Sequence, residues 1–168
     1  LNTLKRMMTS TTNMSDENPS HDETPNQPQE IENWDDLPDA KQKLLRGIYA
    51  YGFETPSPIQ KKAIVPMFAR RDVIAQAQSG TGKTGCFTVG TLQIIDTEKA
   101  VTQAMILSPT RELSIQTKNV LDSIGGMFPK LVTQLLIGGT STETDMTLLA
   151  DNTPHVVIGC PGRVHDML

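Results

Sequence analysis

The stretch Ala77-Gln78-Ser79-Gly80-Thr81-Gly82-Lys83-Thr84 decides how this sequence of 168 residues is interpreted. It begins at the end of a short apolar run, residues 73–77, and it leads into a helical segment, residues 83–95. A short apolar run, a glycine-rich turn and a helical segment in that order predict a strand, a loop and a helix. Function is therefore sought first in the loop.

These eight residues match the nucleotide-binding P-loop, with Ala77 in place of the usual first glycine. Gly80 and Gly82 let the backbone turn so that several N–H groups point inward, where a β- or γ-phosphate can bind at the start of the helix. Lys83 adds a positive charge for those phosphates, and the Thr84 hydroxyl can ligate Mg²⁺. A turn that merely needs glycines would leave Lys83 and Thr84 unexplained.

The alternation of apolar runs and helical segments continues beyond the loop. The further apolar runs cover residues 104–107, 131–137 and 155–158, and the helical segments cover residues 110–124, residues 141–150 and a start at Pro161. Four strand-helix units in series predict an α/β domain with a parallel sheet. Ligands of such sheets bind at the carboxyl ends of the strands, so the residues after each run are the candidates for function.

Two helices are predicted upstream of the loop, and both show apolar residues at helical spacing. The first lies between Pro38 and Gly52, which suit the first turn of a helix and the residue after its end. The second begins with Ser57 as N-cap and Pro58 as the first helical residue, and Pro66 is expected to kink it.

Composition divides the chain at about residue 33. Residues 1–33 contain two basic and six acidic residues, no aromatic residue and no glycine, whereas residues 34–168 contain thirteen basic and thirteen acidic residues. The first segment has too little apolar surface to offset its chain entropy, and it is predicted to be a disordered acidic tail. Residues 34–168 are enough for one compact domain.

Charge and motif content exclude several classes of protein. A neutral domain does not hold nucleic acid or membranes by its overall field, so any nucleic-acid contact must be local. No apolar run approaches the roughly 18 residues of a membrane span, and the N-terminus lacks a secretory signal. Cys86 and Cys160 form no zinc or disulfide pattern. We expect a soluble protein of the cytoplasm, with the nucleus as an alternative.

The segment before the phosphate loop offers groups that can recognise a base. The chain contains no N-K-x-D element of the kind that reads guanine in GTPases, so adenine is the better candidate. Phe53 can stack on a base, and the Gln60 amide can pair with adenine N6 and N7. Gln60 is also the last residue of a capping box that begins at Ser57, in which its side chain bonds to the Ser57 backbone instead. The residues alone leave both interpretations open.

Five sequence elements resemble motifs of the DEAD-box RNA helicases. Residues 52–60 resemble the Q motif, residues 77–84 the first motif, Pro109-Thr110-Arg111-Glu112-Leu113 motif Ia, Gly138-Gly139 the GG element and Pro161-Gly162-Arg163 motif Ib. Each element after the Q motif lies at a predicted strand end. Residues 44–53 and 162–168 resemble the translation initiation factor 4A subgroup of that family.

The resemblance implies that residues 34–168 form part of the first of two RecA-like domains of an ATP-dependent RNA helicase. ATP and Mg²⁺ are the implied cofactors, with Lys83 and Thr84 as catalytic residues and Thr84 as the metal ligand. The implied nucleotide-binding residues are Phe53, Thr55, Gln60, Ala77, Gln78, Ser79, Gly80, Thr81, Gly82, Lys83 and Thr84.

The resemblance also implies that one RNA strand is held by its sugar-phosphate backbone, without sequence preference. The implied RNA-binding residues are Pro109, Thr110, Arg111, Glu112, Gly138, Gly139, Cys160, Pro161, Gly162 and Arg163. Helix starts offer free N–H groups to a phosphate, and arginines add charge. Structural ion pairs are the alternative for Arg111 and Arg163. Gly138-Gly139 can also be plain loop before a capping box Thr140-x-x-Glu143.

Three features depart from the family pattern. The isolated aromatic residue upstream of the Q motif is Trp34, one residue farther away than usual, and Cys160 replaces the threonine of motif Ib. A thiol is a weaker hydrogen-bond partner than a hydroxyl. No Asp-Glu-Ala-Asp element and no second domain occur before Leu168, so we expect a domain incomplete at its C-terminus and inactive in hydrolysis by itself.

The leading hypothesis is a partial DEAD-box helicase whose parent couples ATP hydrolysis to the separation of short RNA duplexes, in translation initiation or related RNA metabolism. The expected partners are RNA and proteins of translation initiation or other RNA processing, and no membrane is involved. Two alternatives stay open. One is another ATP-using P-loop protein such as a small kinase, and the other is a non-catalytic module that captures RNA or a protein partner.

Overall fold

The computed structural model describes residues 30–168, so the predicted tail lies outside the described residues except for residues 30–33. A 3-10 turn at Trp34–Asp36 comes first. The helices are α1 (Gln42–Ala50), α2 (Pro58–Phe68), α3 (Lys83–Ile94), α4 (Arg111–Gly125), α5 (Thr142–Asp151) and α6 (Pro161–Asp166). The strands are β1 (Ala104–Leu107), β2 (Thr133–Leu136) and β3 (Val156–Gly159).

The three strands form one parallel sheet in the order β1, β3, β2. The central strand β3 is buried along its whole length, which explains why its sequence is a continuous apolar run and not an alternating one. Leu107 of β1 and Leu136 of β2 are both in register with Gly159 of β3. The strands therefore end side by side, and the predicted α/β fold with a parallel sheet is confirmed.

The main core lies between the sheet and helices α1 to α4. Its fully buried side chains include Leu44, Ile48, Ile64, Val89, Leu92, Leu121, Ile124 and Ile158. A smaller cluster of Leu136, Val157 and Val164 joins β2 and β3 to α6. None of the helices within residues 30–168 is both long and apolar enough to span a bilayer.

Local sequence signals set the starts of helices α2 and α4. Ser57 is the N-cap of α2 and Pro58 its first residue, as predicted. Thr110 caps α4, because its hydroxyl oxygen accepts a hydrogen bond from the Leu113 N–H at 3.3 Å. Pro66 lies inside the last turn of α2, and the helix continues past it to Phe68.

The predicted strand at residues 73–77 is the main difference from the sequence analysis. These residues have no regular secondary structure, and Ile74 is fully exposed. Ala75 lines a cavity of about 560 Å³ together with Met105 and Leu107 of β1, so this cavity separates the run from the sheet. An apolar run becomes a strand only where a partner supplies ladder hydrogen bonds. Within the described residues, the outer edge of β1 has no strand partner.

The packed part of the chain begins before the expected boundary at residue 34. Ile31 is 1% exposed and belongs to the main core, and its N–H donates to the Lys61 carbonyl at 3.3 Å. Glu32 forms an ion pair with the Lys61 ammonium. A single apolar residue in a polar, acidic segment gives no periodic signal, so composition placed Ile31 in the tail.

Lys41 fixes the far end of the helix that follows the phosphate loop. Its ammonium donates to the Ile95 carbonyl at 2.5 Å and to the Leu92 carbonyl at 3.3 Å. The last carbonyls of a helix lack partners within the helix, so a cation there satisfies them and interacts favourably with the helix dipole. Burial lowers the pKa of Lys41, and the charge of Asp96 opposes that effect.

Helices α1 and α4 approach each other closely at Gly47, where a Cβ atom would lie 2.0 Å from the Ile124 carbonyl oxygen of α4. Gly47→Ala is expected to force α1 and α4 apart and to lower the free energy of unfolding by about 1–3 kcal/mol. Chemical denaturation of the full chain measures this. The matched control is Gly126→Ala, whose Cβ would meet nothing closer than 3.4 Å. Equal midpoints for the two variants would contradict the prediction.

Candidate nucleotide site and nucleic-acid interface

The loop between residue 77 and α3 has the backbone geometry that a phosphate loop needs. Gly80 has a φ of 80° and Gly82 a φ of 96°, which is the left-handed region that favours glycine. The Thr81 hydroxyl donates to the Gln78 carbonyl at 2.7 Å and closes the turn. Gly82 is the N-cap of α3, so the loop ends at a helix N-terminus, where the helix dipole favours an anion.

Lys83 is held by the loop itself. Its ammonium donates to the Ala77 carbonyl at 2.6 Å and to the Gln78 carbonyl. A phosphate that binds in the loop would take these hydrogen bonds over from the two carbonyls. The lysine is thus already positioned over the loop, and binding requires an exchange of acceptors.

Thr84 suits a magnesium ion that is shared with a nucleotide. It is half-buried in the first turn of α3 and borders the 560 Å³ cavity beside Lys83. Mg²⁺ keeps several waters and is commonly held by few protein ligands plus substrate phosphates. No group of three or more acidic, histidine or cysteine side chains lies together within residues 30–168. A metal held mainly by nucleotide phosphates would need few ligands from this chain, and the role of Thr84 as its ligand stays a prediction.

Gln60 ties α2 to the phosphate loop. Its Oε1 accepts a hydrogen bond from the Ser57 N–H at 2.8 Å, so its half of the predicted capping box forms. Its Nε2 donates to the Gly82 carbonyl at 3.0 Å. The side chain is only 3% exposed. Each end of the amide keeps one further hydrogen-bonding position, so adenine recognition by Gln60 stays a prediction.

Phe53 lies against the start of α3. A Cβ atom at Gly85 would lie 2.7 Å from the Phe53 ring, so the glycine is what allows this contact. Trp34 stacks on Phe53 with ring centroids 6.0 Å apart, and Tyr51 meets Phe53 edge to face at 4.8 Å. Trp34 is fully buried, which gives the shifted upstream aromatic residue a packing role. Base stacking by Phe53 stays a prediction.

The remaining residues of the predicted nucleotide set are accessible to a ligand. Thr55 lies exposed in the segment before α2. The exposed members of the loop are Gln78, Ser79 and Gly80, and the half-buried members are Ala77, Thr81, Gly82, Lys83 and Thr84.

Three of the sequence elements meet at one edge of the sheet. The Ser108 N–H donates to the Gly159 carbonyl at 2.9 Å, and the Cys160 N–H donates to the Leu136 carbonyl at 3.0 Å. These bonds align the ends of β1, β3 and β2. The exposed members of the predicted RNA set are Pro109, Thr110, Arg111, Glu112, Gly139, Pro161 and Gly162. They follow the three strand ends, which lie side by side in the sheet.

The two predicted arginines differ in their surroundings. Arg111 is exposed and has no ion pair within the described residues. It lies against the glycine pair, because a Cβ at Gly139 would be 2.7 Å from Arg111 Nη1, and Gly139 has a φ of 89°. Arg163 forms an ion pair of 2.6 Å with Asp145, and both side chains are at least 90% buried. The ion-pair interpretation therefore holds for Arg163 in this structure.

Asp145 is a residue that the sequence analysis missed, and Thr140 has a role different from the predicted one. Ser141 caps α5 by accepting a hydrogen bond from the Thr144 N–H at 3.3 Å, so the capping box expected at Thr140 does not form. The Thr140 hydroxyl instead accepts a hydrogen bond from Arg163 at 3.1 Å. A single acidic residue in a helix with a polar first turn gives no sequence signal that it will be buried.

The two cysteines lie in different environments. Cys86 in α3 is 2% exposed, and burial raises the pKa of its thiol to about 11. Cys160 is partly exposed at the N-cap of α6 and makes no side-chain capping bond, and its sulfur lies 3.7 Å from the Ser114 hydroxyl.

A glycine-rich phosphate loop at the N-terminus of α3, in a domain with a parallel α/β sheet, is the feature that defines the P-loop class of proteins. The family described as DEAD/DEAH box helicase matches residues 57–168, two thirds of the chain. The chain belongs to this family.

The relatives agree with the fold and with the family. Over 138 residues the chain is 53% identical to the ATP-dependent RNA helicase eIF4A of Pyricularia oryzae, which covers 82% of this chain and 34% of the relative. The crystal structure of a DEAD box protein from Methanococcus jannaschii has a TM-score of 0.73 and 30% identity, covering 82% of this chain and 37% of that one.

A structure of S. cerevisiae Dbp5 bound to RNA and ADP BeF3 has a TM-score of 0.68 and 34% identity, covering 82% of this chain and 34% of that one. The parts of these structures that match are DEAD-box helicase domains of the RecA-like type, so the predicted fold class is confirmed. The chain spans about a third of the length of the curated relatives it matches.

The difference between the thiols gives a direct check of the packing of α3. At pH 8 the Cys86 thiol is expected to resist iodoacetamide, because it is buried and its raised pKa leaves almost no thiolate. Cys160 is expected to react. Mass spectrometry of the native chain should show one alkyl group, and the chain in urea should show two. Equal native labelling of both residues would mean that α3 is not packed as described.

Proposed function

We propose that this chain binds ATP with Mg²⁺ in the P-loop and binds the backbone of one RNA strand at the neighbouring strand ends. The observation that supports the proposal is that one cavity is lined by residues of both predicted sites. The cavity beside the loop is lined by Lys83 and Thr84 on one side and by Leu107, Pro109 and Leu113 on the other. A nucleotide and an RNA strand would therefore contact the same pair of elements, α3 and the start of α4.

We further propose that the complete protein is an ATP-dependent RNA helicase that hydrolyses ATP to separate short RNA duplexes. The names of the eIF4A relatives and the RNA and ADP BeF3 in the Dbp5 structures support this. The similarity to eIF4A favours a role in translation initiation, with protein partners from that process and a cytoplasmic location. Residues 34–168 would supply part of the first RecA-like domain.

RNA would be recognised by local backbone geometry and not by the overall electrostatic field of the domain. The exposed helix start at Pro109-Thr110, the loop at Gly138-Gly139 and the turn at Pro161-Gly162 offer backbone N–H groups and room for a close approach. Arg111 adds one exposed charge beside the glycines. Contacts of this kind carry no sequence information, which agrees with a helicase that acts on many RNAs.

Nucleotide binding is tested by Lys83→Ala in the full chain. We expect the affinity for a fluorescent ATP analogue to fall by about 1.5–3 kcal/mol, the range for hydrogen bonds to charged groups. Lys99→Ala is the control, since Lys99 pairs with Asp96 beyond the other end of α3. In the complete protein the same change should abolish RNA-stimulated ATP hydrolysis. Stimulation that survives Lys83→Ala, or wild-type binding without any turnover, would favour the alternative functions.

The role of Gln60 is tested by comparing ATP with GTP. If Gln60 pairs with adenine, Gln60→Ala should lower the preference for ATP by about 1–3 kcal/mol, the value of a bidentate amide contact. If Gln60 only ties Ser57 to Gly82, both affinities should fall by the same factor and the preference should stay unchanged. Isothermal titration with each nucleotide distinguishes the two results.

A further inference from the structure

The guanidinium of Arg163 joins three elements at the edge of the RNA-binding surface. From the first turn of α6, its Nη1 lies 2.6 Å from Asp145 Oδ2 on α5. Nη1 also donates to the Thr140 hydroxyl at 3.1 Å, and Nη2 donates to the Thr140 carbonyl at 3.0 Å. The loop that carries Gly138-Gly139 is therefore fastened to α6 by one side chain.

The cluster is completed by Thr140 itself. Its hydroxyl lies 2.9 Å from the Ile137 carbonyl and 3.0 Å from Asp145 Oδ2, and it can donate to one of these while accepting from Arg163. Asp145 is 4% exposed. A buried carboxylate, a buried guanidinium and a hydroxyl thus satisfy one another in the described part of the chain.

This arrangement makes Arg163 a poor phosphate ligand. Three of the five N–H donors of the guanidinium are engaged in this cluster, and turning the side chain toward a phosphate would leave Asp145 as a buried, unpaired charge, which is strongly unfavourable. Arg111 has no such constraint, because it is exposed and unpaired within residues 30–168. Both arginines lie against the same glycine loop, but only Arg163 would have to give up an ion pair to turn toward a phosphate.

We propose that Arg163 and Asp145 are positioning residues, which with Thr140 hold the glycine loop against the start of α6 in the geometry that binds RNA. Arg111 makes the phosphate contact on this surface. The proposal rests on the proposed RNA binding. It assigns roles to Asp145 and Thr140 and gives Arg163 a role other than the one the sequence implied.

The test is the salt dependence of RNA binding by the full chain, measured with a fluorescent single-stranded RNA. Arg111→Gln should weaken binding and reduce the slope of log K against log salt by about 0.7, the value for one phosphate contact on a single strand. Arg163→Gln should weaken binding about tenfold and leave the slope unchanged. A reduced slope for Arg163→Gln would overturn the proposal.

Asp145→Asn provides a second test, because the two possible roles of Asp145 predict opposite changes in RNA affinity. If Asp145 acted on RNA only through its charge, removing that charge would tighten binding. As a positioning residue it should weaken binding about tenfold when replaced, and the double variant with Arg163→Gln should bind no worse than Arg163→Gln alone. Tighter binding by Asp145→Asn, or additive losses in the double variant, would contradict the proposal. This variant decides the matter if Arg163→Gln does not fold.

Two further readouts separate a local effect from general damage and from failure of the proposed function. The affinity for the fluorescent ATP analogue should stay within twofold in all three single variants. Hydrogen exchange of residues 138–141 should accelerate in Arg163→Gln and Asp145→Asn but not in Arg111→Gln. If the wild-type chain does not bind RNA, the proposed function fails, and unchanged loop exchange would then overturn the positioning role independently.

Discussion

The parallel register of β3 between β1 and β2 is the constraint on which the rest of the structure depends. Because Leu107 and Leu136 share Gly159 as their partner, the chain leaves the sheet at three adjacent points on one edge. A shift of one residue in either ladder would move the loops apart and turn the buried side chains of β3 to the other face. The candidate interface is thus a consequence of strand pairing, because the sheet determines where each loop begins.

The phosphate loop is attached to this edge by helix packing and not by a strand of its own. Gln60 bonds to the Gly82 carbonyl, Phe53 packs on Gly85, and Lys41 satisfies the carbonyls at the far end of α3. A side chain larger than hydrogen at Gly82 or Gly85 would displace Gln60. The glycines of this segment therefore serve the approach of α2 as much as the turn around a phosphate.

The sequence predicted what depends on local signals. The N-cap Ser57, the start of a helix near Thr110, the strand limits of β1 and the order of the strand-helix units all follow from residues close together in the chain. The misplaced features depend on distant partners. Residues 73–77 have strand character but no partner strand in the described part, Ile31 packs on a helix 30 residues away, and Asp145 is buried because Arg163 reaches it from another helix. The glycine, lysine and arginine motifs predicted the candidate site, while the direction in which each side chain bonds required the structure.

The charges at the strand ends explain why a neutral domain would rely on loop geometry to hold a polyanion. Lys83 is bound by loop carbonyls and Arg163 is neutralised by Asp145, so within the described residues Arg111 is the cation of the candidate interface without an internal partner. With residues 34–168 balanced in charge, the long-range field adds little attraction. Backbone N–H groups must then supply most of the contact free energy, and they act only at hydrogen-bonding distance and in the correct direction. In the proposed interface, contacts that hold the loops in place, such as the Arg163–Asp145 pair, would therefore influence RNA affinity together with the groups that touch the phosphates.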